Sequence, residues 1–179
     1  GAVTLEGTAS GQDQNSGATV STGTASSPAL AVQAAAQLVI KGLTALPTTV
    51  GTGSAITVRM TVSNEGSATA VNVSAGALVA SNGTLLTGVP AAAPASVTLT
   101  GGQSQVFTYV YTAANVTYSA STTFSGLALG VDLNELVGVT SVAATSNAVN
   151  VFPQAGLQVV GFAFAPAQVS VGQVFTVTL

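Results

Sequence analysis

Apolar and polar residues alternate with a period of two along much of the chain, which is the pattern of strands with one buried face. In residues 55–62 the polar face contains Arg59, whose charge stays in water, and the apolar face consists of Ile56, Val58, Met60 and Val62. Residues 105–112 alternate in the same way, and their bulky face carries Phe107, Tyr109 and Tyr111. Both stretches therefore predict β-strands.

Shorter strand signals and turn residues fill the rest of the chain. A long loop is expected over residues 80–95, and further strands at 38–43, 70–75, 96–100, 117–129 and 139–151. The sequences Gly101-Gly102 and Asn64-Glu65-Gly66 predict turns, since Asn and Gly tolerate a positive φ. No stretch has a helical period, and we interpret the Ala-rich residues 31–37 as a linker instead of a helix.

The chain also repeats itself at an offset of 119 positions. Residues 3–60 align without a gap on residues 122–179. Nineteen of the fifty-eight aligned pairs are identical, among them Asp13 with Asp132, Asn15 with Asn134, and Pro47 with Pro166. Because domains commonly have about 100–150 residues, a period of this length suits one domain per repeat.

This alignment divides the chain into three parts, and the sequence is expected to open and close partway through a repeat. The parts are the last strands of one repeat (residues 1–33, the N-terminal segment), a complete repeat (34–153, the central module) and the first strands of the next repeat (154–179, the C-terminal segment).

About seven strands in one repeat, separated by frequent turn signals, are typical of an immunoglobulin-like β-sandwich. The expected fold class is therefore all-β, with immunoglobulin-like sandwich repeats in tandem. The chain has no Cys and no Trp. The likeness to antibody domains is thus expected in architecture and not in the composition of their core.

Three stretches carry a resemblance to a known family: residues 56–74, with Asn64-Glu65-Gly66 between two strands, then 102–111, and Phe124 to Asp132. They resemble the CARDB-like conserved repeats of bacterial and archaeal surface proteins. The resemblance covers residues 36–151 and recurs in part at both ends. It implies an extracellular immunoglobulin-like module, used in tandem as a stalk, adhesin or filament at the cell surface. It implies no catalytic residues.

Charge is scarce, and this scarcity excludes several classes of partner. Only 4% of the residues are charged, and Lys41 and Arg59 are the only two cations in the sequence. Two cations cannot form a nucleic-acid footprint or an anionic-membrane patch, and no apolar run reaches the roughly 20 residues of a membrane helix. Because low surface charge normally reduces solubility, we expect neighbouring copies or glycans to cover the surface.

Candidate chemistry is sparse as well. Without His and Cys the chain has no Ser-His or Cys-His pair and no usual zinc site. The acids Glu65, Asp132 and Glu135 lie in predicted turns, which is a poor arrangement for a catalytic carboxylate pair. We therefore predict no enzymatic activity, no catalytic residue and no cofactor.

One acidic motif occurs twice and has two interpretations. Asp13 and Asn15 recur as Asp132 and Asn134, and the second copy is followed by Glu135. Clustered carboxylate and amide oxygens are ligands that calcium prefers, so these five residues are weak calcium candidates. The alternative is an Asx-turn, in which the side chain accepts nearby backbone N–H groups.

Two further features of the sequence have a carbohydrate interpretation. Three Asn-x-Ser/Thr sequences begin at Asn72, Asn82 and Asn115, and each is either a glycan acceptor or a chance combination. Asn82 and Asn115 lie in predicted loops, whereas Asn72 lies in a predicted strand. The aromatic face of residues 107–111 is either part of the core or a platform for stacking sugars.

These observations favour a structural protein. The leading hypothesis is a segment of an extracellular tandem-repeat fibre, stalk or filament, with strands shared between neighbouring copies, as in donor-strand polymers, as one version of it. Its partners would be neighbouring repeats or identical subunits, and glycans where the acceptor sites are used. The alternative is an adhesive or carbohydrate-binding surface module.

Overall fold

The computed structural model describes residues 1–178 and is almost entirely β. No α-helix occurs in this range, and a single 3₁₀ turn covers Gly83–Leu85. The all-β class predicted from the alternating pattern is therefore confirmed. Leu179, the last residue of the predicted C-terminal segment, lies outside the described residues.

In the N-terminal segment, six short strands form three antiparallel pairs. Their bounds are β1 (Ala2–Val3), β2 (Glu6–Gly7), β3 (Ser10–Gln12), β4 (Thr19–Ser21), β5 (Ala25–Ser26) and β6 (Leu30–Ala31). Strand β1 pairs with β6, β2 with β5 and β3 with β4. The pairs are nested, so the segment folds back on itself at the turn between β3 and β4.

The central module contains fourteen strands, of which β7, β9 and β14 are the longest. Their bounds are β7 (Leu38–Leu46), β8 (Thr49–Gly51), β9 (Ala55–Asn64), β10 (Ala70–Ala75), β11 (Val79–Ala80), β12 (Leu86–Thr87), β13 (Val97–Leu99), β14 (Ser104–Ala113), β15 (Ala120–Thr122), β16 (Phe124–Gly126), β17 (Ala128–Asp132), β18 (Gly138–Thr140), β19 (Ala144–Thr145) and β20 (Val149–Phe152). The C-terminal segment adds β21 (Ala163–Ala165) and β22 (Thr176–Thr178), which pair with each other.

Two four-stranded sheets and two three-stranded sheets build the central module. The larger sheets have the orders β12-β14-β9-β7 and β13-β10-β17-β18, and the smaller ones β11-β16-β19 and β15-β20-β8. All their neighbours are antiparallel except β20 and β8, which run in the same direction. The last strand of the module is thereby joined to one of its first strands.

The core lies under the two alternating strands β9 and β14. The apolar face of β9 is fully buried, and the aromatic face of β14 packs beside it. The Tyr111 and Phe124 rings meet at a centroid distance of 4.8 Å. The Tyr109 hydroxyl donates a hydrogen bond to the Gly76 carbonyl, and burial, with a smaller contribution from Tyr111, raises the pKa of Tyr109 to about 12. The period-two pattern thus predicted both strands and their buried faces.

The predicted strands at 117–129 and 139–151 are wrong as continuous elements, because each divides into three short strands that enter different sheets. At two of the breaks a serine hydroxyl replaces a backbone partner. The Ser146 hydroxyl accepts a bond from the Phe124 N–H, and the Ser141 hydroxyl accepts one from the Ala128 N–H. Polar side chains that bond to backbone allow a strand to leave one sheet for another. Residues 32–37 form no helix, as predicted.

The strand pairs of both terminal segments recur in the central module at the offset of 119. The three pairs of the N-terminal segment have the register of β15–β20, β16–β19 and β17–β18. The pair β21–β22 has the register of β7–β9 over the matching residues. Equivalent sequence positions therefore adopt equivalent local pairing, although the immunoglobulin-like sandwich and the repetition of whole modules stay predictions.

Burial differs sharply between the copies. Every buried side chain among residues 1–178 lies between Ala36 and Val151, so the core is complete within the central module. In contrast, Leu5 is 72% exposed, whereas its equivalent Phe124 is fully buried. The terminal segments carry core-type residues on an open surface.

This contrast gives a direct stability test. Replacing Phe124 with Ala removes a buried ring and leaves a cavity, so we expect a loss of about 3–5 kcal/mol in the free energy of unfolding. The matched change Leu5→Ala lies at the equivalent exposed position and is expected to change it by less than about 0.5 kcal/mol. Urea unfolding followed by circular dichroism measures both, and equal losses would contradict the assignment of the core.

Candidate inter-module junction

Residues 33–37 enter the central module without a strand partner and are held by side chains. The Ala34 N–H donates to the Ser67 hydroxyl at 2.7 Å, and the Ala36 N–H donates to Asp132 Oδ2 at 2.6 Å. The Gln37 N–H donates to Asn64 Oδ1 at 3.0 Å. Backbone donors that leave water need such partners, because an unpaired one costs about 1–3 kcal/mol. We call this group of contacts the entry clamp.

Asn64, at the end of β9, is the hub of the entry clamp. Its side chain is fully buried, and its amide donates to the carbonyls of Ala68 and Leu99 at 2.8 and 3.0 Å. Its carbonyl oxygen accepts both the Gln37 N–H and the Gly66 N–H. All hydrogen-bonding capacity of the buried amide is therefore used, which ties the β9–β10 loop and the end of β13 to the incoming chain.

Gly66 is required by close approach and not by a positive φ, which corrects the reason expected from its sequence. A Cβ atom at Gly66 would lie 1.9 Å from the Ala35 carbonyl oxygen. Neither Gly66 nor Asn64 has a positive φ, whereas Gly102 of the other predicted turn does, at 78°. The incoming chain thus passes directly over residue 66, where only glycine fits.

Asp132 combines an Asx-turn with the entry clamp. Its Oδ1 accepts the N–H groups of Asn134 and Glu135 at 2.7 and 3.1 Å, while its Oδ2 accepts the Ala36 N–H. The side chain is buried. These bonds, above all the one from Ala36, lower the pKa of Asp132 below its ordinary value.

Asp13 forms the same Asx-turn without the clamp. Its Oδ1 accepts the N–H groups of Asn15 and Ser16 at 2.8 and 2.9 Å, and the bond from Ser16 contributes most to lowering its pKa. The turn interpretation accounts for both aspartates. No group of three or more acidic side chains placed to hold a metal ion occurs in residues 1–178.

The N-terminal segment passes into the central module with no free linker. The Val32 N–H still bonds within its own segment, to the Gly1 carbonyl at 2.7 Å. The next side chain already belongs to the entry clamp: Gln33 Nε2 donates to the Ser67 carbonyl, and Gln33 Oε1 accepts Asn134 Nδ2 at 2.9 Å. Adjacent residues thus belong to two units, and the linker predicted over residues 31–37 is largely fixed in place.

The three candidate glycan acceptors lie in different environments. Asn115 is exposed in the loop after β14, as expected. Asn82 is half-buried before the 3₁₀ turn, and its Oδ1 accepts the Thr84 hydroxyl at 2.7 Å. Asn72 is exposed in β10, at a bulge where its φ is 52°. Asn115 is therefore the one acceptor of the three that is both exposed and in a loop.

The remaining candidates add little chemistry. Phe107, Tyr109 and Tyr111 are buried, so this face belongs to the core and offers no platform to a sugar. Lys41 forms an exposed ion pair with Glu65 at 3.1 Å. A bond from the Ser63 hydroxyl, more than Lys41, lowers the pKa of Glu65. Such exposed pairs contribute little to stability.

Comparison with models of known protein families gives no match for this chain, and neither does comparison with curated protein sequences. The resemblance to CARDB-like modules therefore stays a prediction.

Among residues 1–178 there is no helix with the length and apolar character needed to span a membrane.

The two aspartates provide a matched test of the entry clamp. Asp132→Asn puts an NH₂ group where one carboxylate oxygen accepted an N–H, so either the clamp or the Asx-turn is lost. Asp13→Asn retains one oxygen for its turn and has no clamp to lose. We expect the first variant, and not the second, to lower the thermal midpoint of the central module at neutral pH, as measured by circular dichroism.

The effect of Asp132→Asn on the thermal midpoint should depend on pH. Because the folded state lowers the pKa of Asp132 below its ordinary 3.8, this stabilisation is present above that value and is lost as the pH falls further. The difference in midpoint between Asp132→Asn and the unchanged protein should therefore shrink below about pH 4. A difference that stays constant from pH 7 to pH 2 would show that the carboxylate charge is irrelevant.

A third variant tests the close approach at residue 66. Gly66→Ala requires the incoming chain to move and should displace residues 35 and 36 from the entry clamp. We expect marked destabilisation and faster amide exchange at Ala34 and Ala36, measured by NMR. The control is Gly42→Ala, where no atom lies within 4 Å of the added methyl group. Similar exchange in both variants would refute this role.

Proposed function

We propose that this chain is a structural segment of an extracellular tandem-repeat fibre, stalk or filament. The observation that supports this most is the recurrence of identical strand registers 119 residues apart on both sides of one complete core. Each terminal segment has the backbone pairing of a module part and the exposed apolar residues of an unfinished core. A continuing array of modules would bury them.

The entry clamp supports the same proposal. An array that transmits force or holds a fixed length needs stiff joints, and free linkers of small residues would bend. Here the last bonded residue of one unit, Val32, is followed at once by Gln33 of the clamp. Successive modules would therefore be held directly end to end.

Two details of the proposal concern strands and sugars. All strand pairs in residues 1–178 of this single chain lie within one segment or module. Strands shared between neighbouring copies stay one form of the proposal. The aromatic face of β14, one candidate platform for the carbohydrate-binding alternative, is buried. No observation favours it over the structural function.

The scarcity of charge fits a surface that other copies cover. Large apolar side chains such as Leu30, Val160 and Phe162 are exposed in the terminal segments, and few charges would keep separate chains apart. We propose neighbouring repeats or identical subunits as the partners, with the exposed loop residue Asn115 as a glycan acceptor. The proposed location is the cell surface.

Electron microscopy of the natively purified full-length protein tests this function. Because β9 has ten residues and strands rise about 3.4 Å per residue, one module spans several nanometres. We expect filaments or beaded rods with an axial repeat on the order of 40 Å. Compact single particles without axial periodicity would contradict the proposal.

A further inference from the structure

Three apolar side chains stand exposed on the turn between β17 and β18. Leu133 is 50%, Leu136 77% and Val137 55% exposed. We call these three residues the turn patch. They flank Asn134, whose side chain contacts Gln33, so the patch lies beside the point where the preceding segment enters the module.

Leu136 also has an unfavourable backbone. Its φ is 56°, in the left-handed region that glycine occupies freely and that a bulky side chain rarely adopts. The equivalent residue in the first copy is Gly17, with a φ of 69°. Because 77% of this strained leucine is exposed, it gains little from burial within its own module, which points to a contact outside it.

The equivalent turn in the N-terminal segment, between β3 and β4, shows that the turn does not need apolar residues. Its equivalents of the turn patch are Gln14, Gly17 and Ala18, and it keeps the same Asx-turn and the same strand register. The apolar side chains are therefore not required to form the turn. They distinguish the central module from the unit that precedes it.

The short chain between Val32 and Ala34 determines which neighbouring unit can reach the turn patch. Val32 is bonded in the preceding segment and Ala34 in the entry clamp, so the two units are separated by at most about 7 Å of chain. The chain therefore passes from the preceding segment into the module beside the turn patch, at the Gln33–Asn134 contact. Because the two units are covalently linked, even a small apolar contact is populated.

The end of a module at which strand β20 leaves it carries an exposed side chain that suits contact with the apolar turn patch. In the central module the Thr52 N–H bonds to the Phe152 carbonyl, and the Gly53 N–H bonds to the Ala113 carbonyl. These bonds gather the turn at 52–54 and the loop after β14 around the departing strand. One exposed aromatic residue lies on these elements, Tyr118 at 81%. Phe152 corresponds to Gln33 at the offset of 119, so that position belongs to the joint itself. We call this the exit end.

We propose that the turn patch packs against the exit end of the preceding module in the same chain and couples the stability of the two modules. This inference rests on the proposed tandem function, since it assumes a complete module before the central one. It assigns the strained Leu136 a partner: apolar and aromatic side chains of a neighbouring repeat.

Two linked modules test the coupling. The protein is residues 33–151 followed directly by residues 33–152, which keeps the period of 119 and retains Gln33 at the joint; each copy contains the complete core. The variant carries Leu133→Gln, Leu136→Gly and Val137→Ala, which are the residues of the first copy. In the second module, the triple substitution removes the proposed contact. In the first module, the same substitution alters a turn patch that has no preceding module, so it is the control.

Denaturant unfolding is compared for both placements and for single modules 33–152 with and without the triple change. We expect the linked protein to unfold at a higher midpoint than the single module. The change in the second module should raise its unfolding equilibrium constant at least about fivefold relative to the same change in the first. Comparing placements cancels any effect of the substitutions on the turn itself.

Identical curves for the two placements would overturn the inference, as would a linked protein that unfolds like the single module. These failures are separate from failure of the proposed function. Native filaments with an axial repeat but uncoupled modules would reject the turn patch contact alone, whereas coupled modules from a protein without periodicity would reject the fibre.

Discussion

Three backbone N–H groups without strand partners, at Ala34, Ala36 and Gln37, determine how the central module begins. The Ala36 N–H lies in a buried site, where leaving it unpaired would cost more than most single contacts contribute. Side chains from two distant parts of the chain accept them: Asn64 at the end of β9 with Ser67 in the loop that follows, and Asp132 at the end of β17. The first strand, the β9–β10 loop and the β17–β18 turn are therefore fixed relative to one another by one small polar cluster.

The alternating pattern was sufficient to predict β9 and β14, because a strand between core and solvent must place every second residue in each environment. It was not sufficient for residues 117–151. There Ser141 and Ser146 divide the strands, and whether a serine bonds to water or to a distant backbone N–H depends on tertiary structure. Local alternation does not contain that information.

The candidate junction was predicted only in part, for the same reason. The repeated Asp-x-Asn sequence predicted the turns at Asp13 and Asp132, since an Asx-turn depends on neighbours two and three residues away. The bond from Ala36 to Asp132 joins residues far apart in sequence, and nothing near Asp132 indicates it. Asn64 looked like an ordinary turn residue, although it is the most completely bonded side chain of the module.

The one parallel pair in the central module has a mechanical meaning. Strand β20 carries the chain out of the module and lies alongside β8, near its beginning, in the same direction. A pull at the entry reaches β8 only through β7, which precedes it. A pull at the exit acts on β20 along the direction of β8, so the hydrogen bonds between these two strands are loaded together. An antiparallel hairpin pulled at its open end would instead lose its bonds one at a time. The parallel orientation of β8 and β20 therefore favours shearing over unzipping at the point where the chain leaves the module.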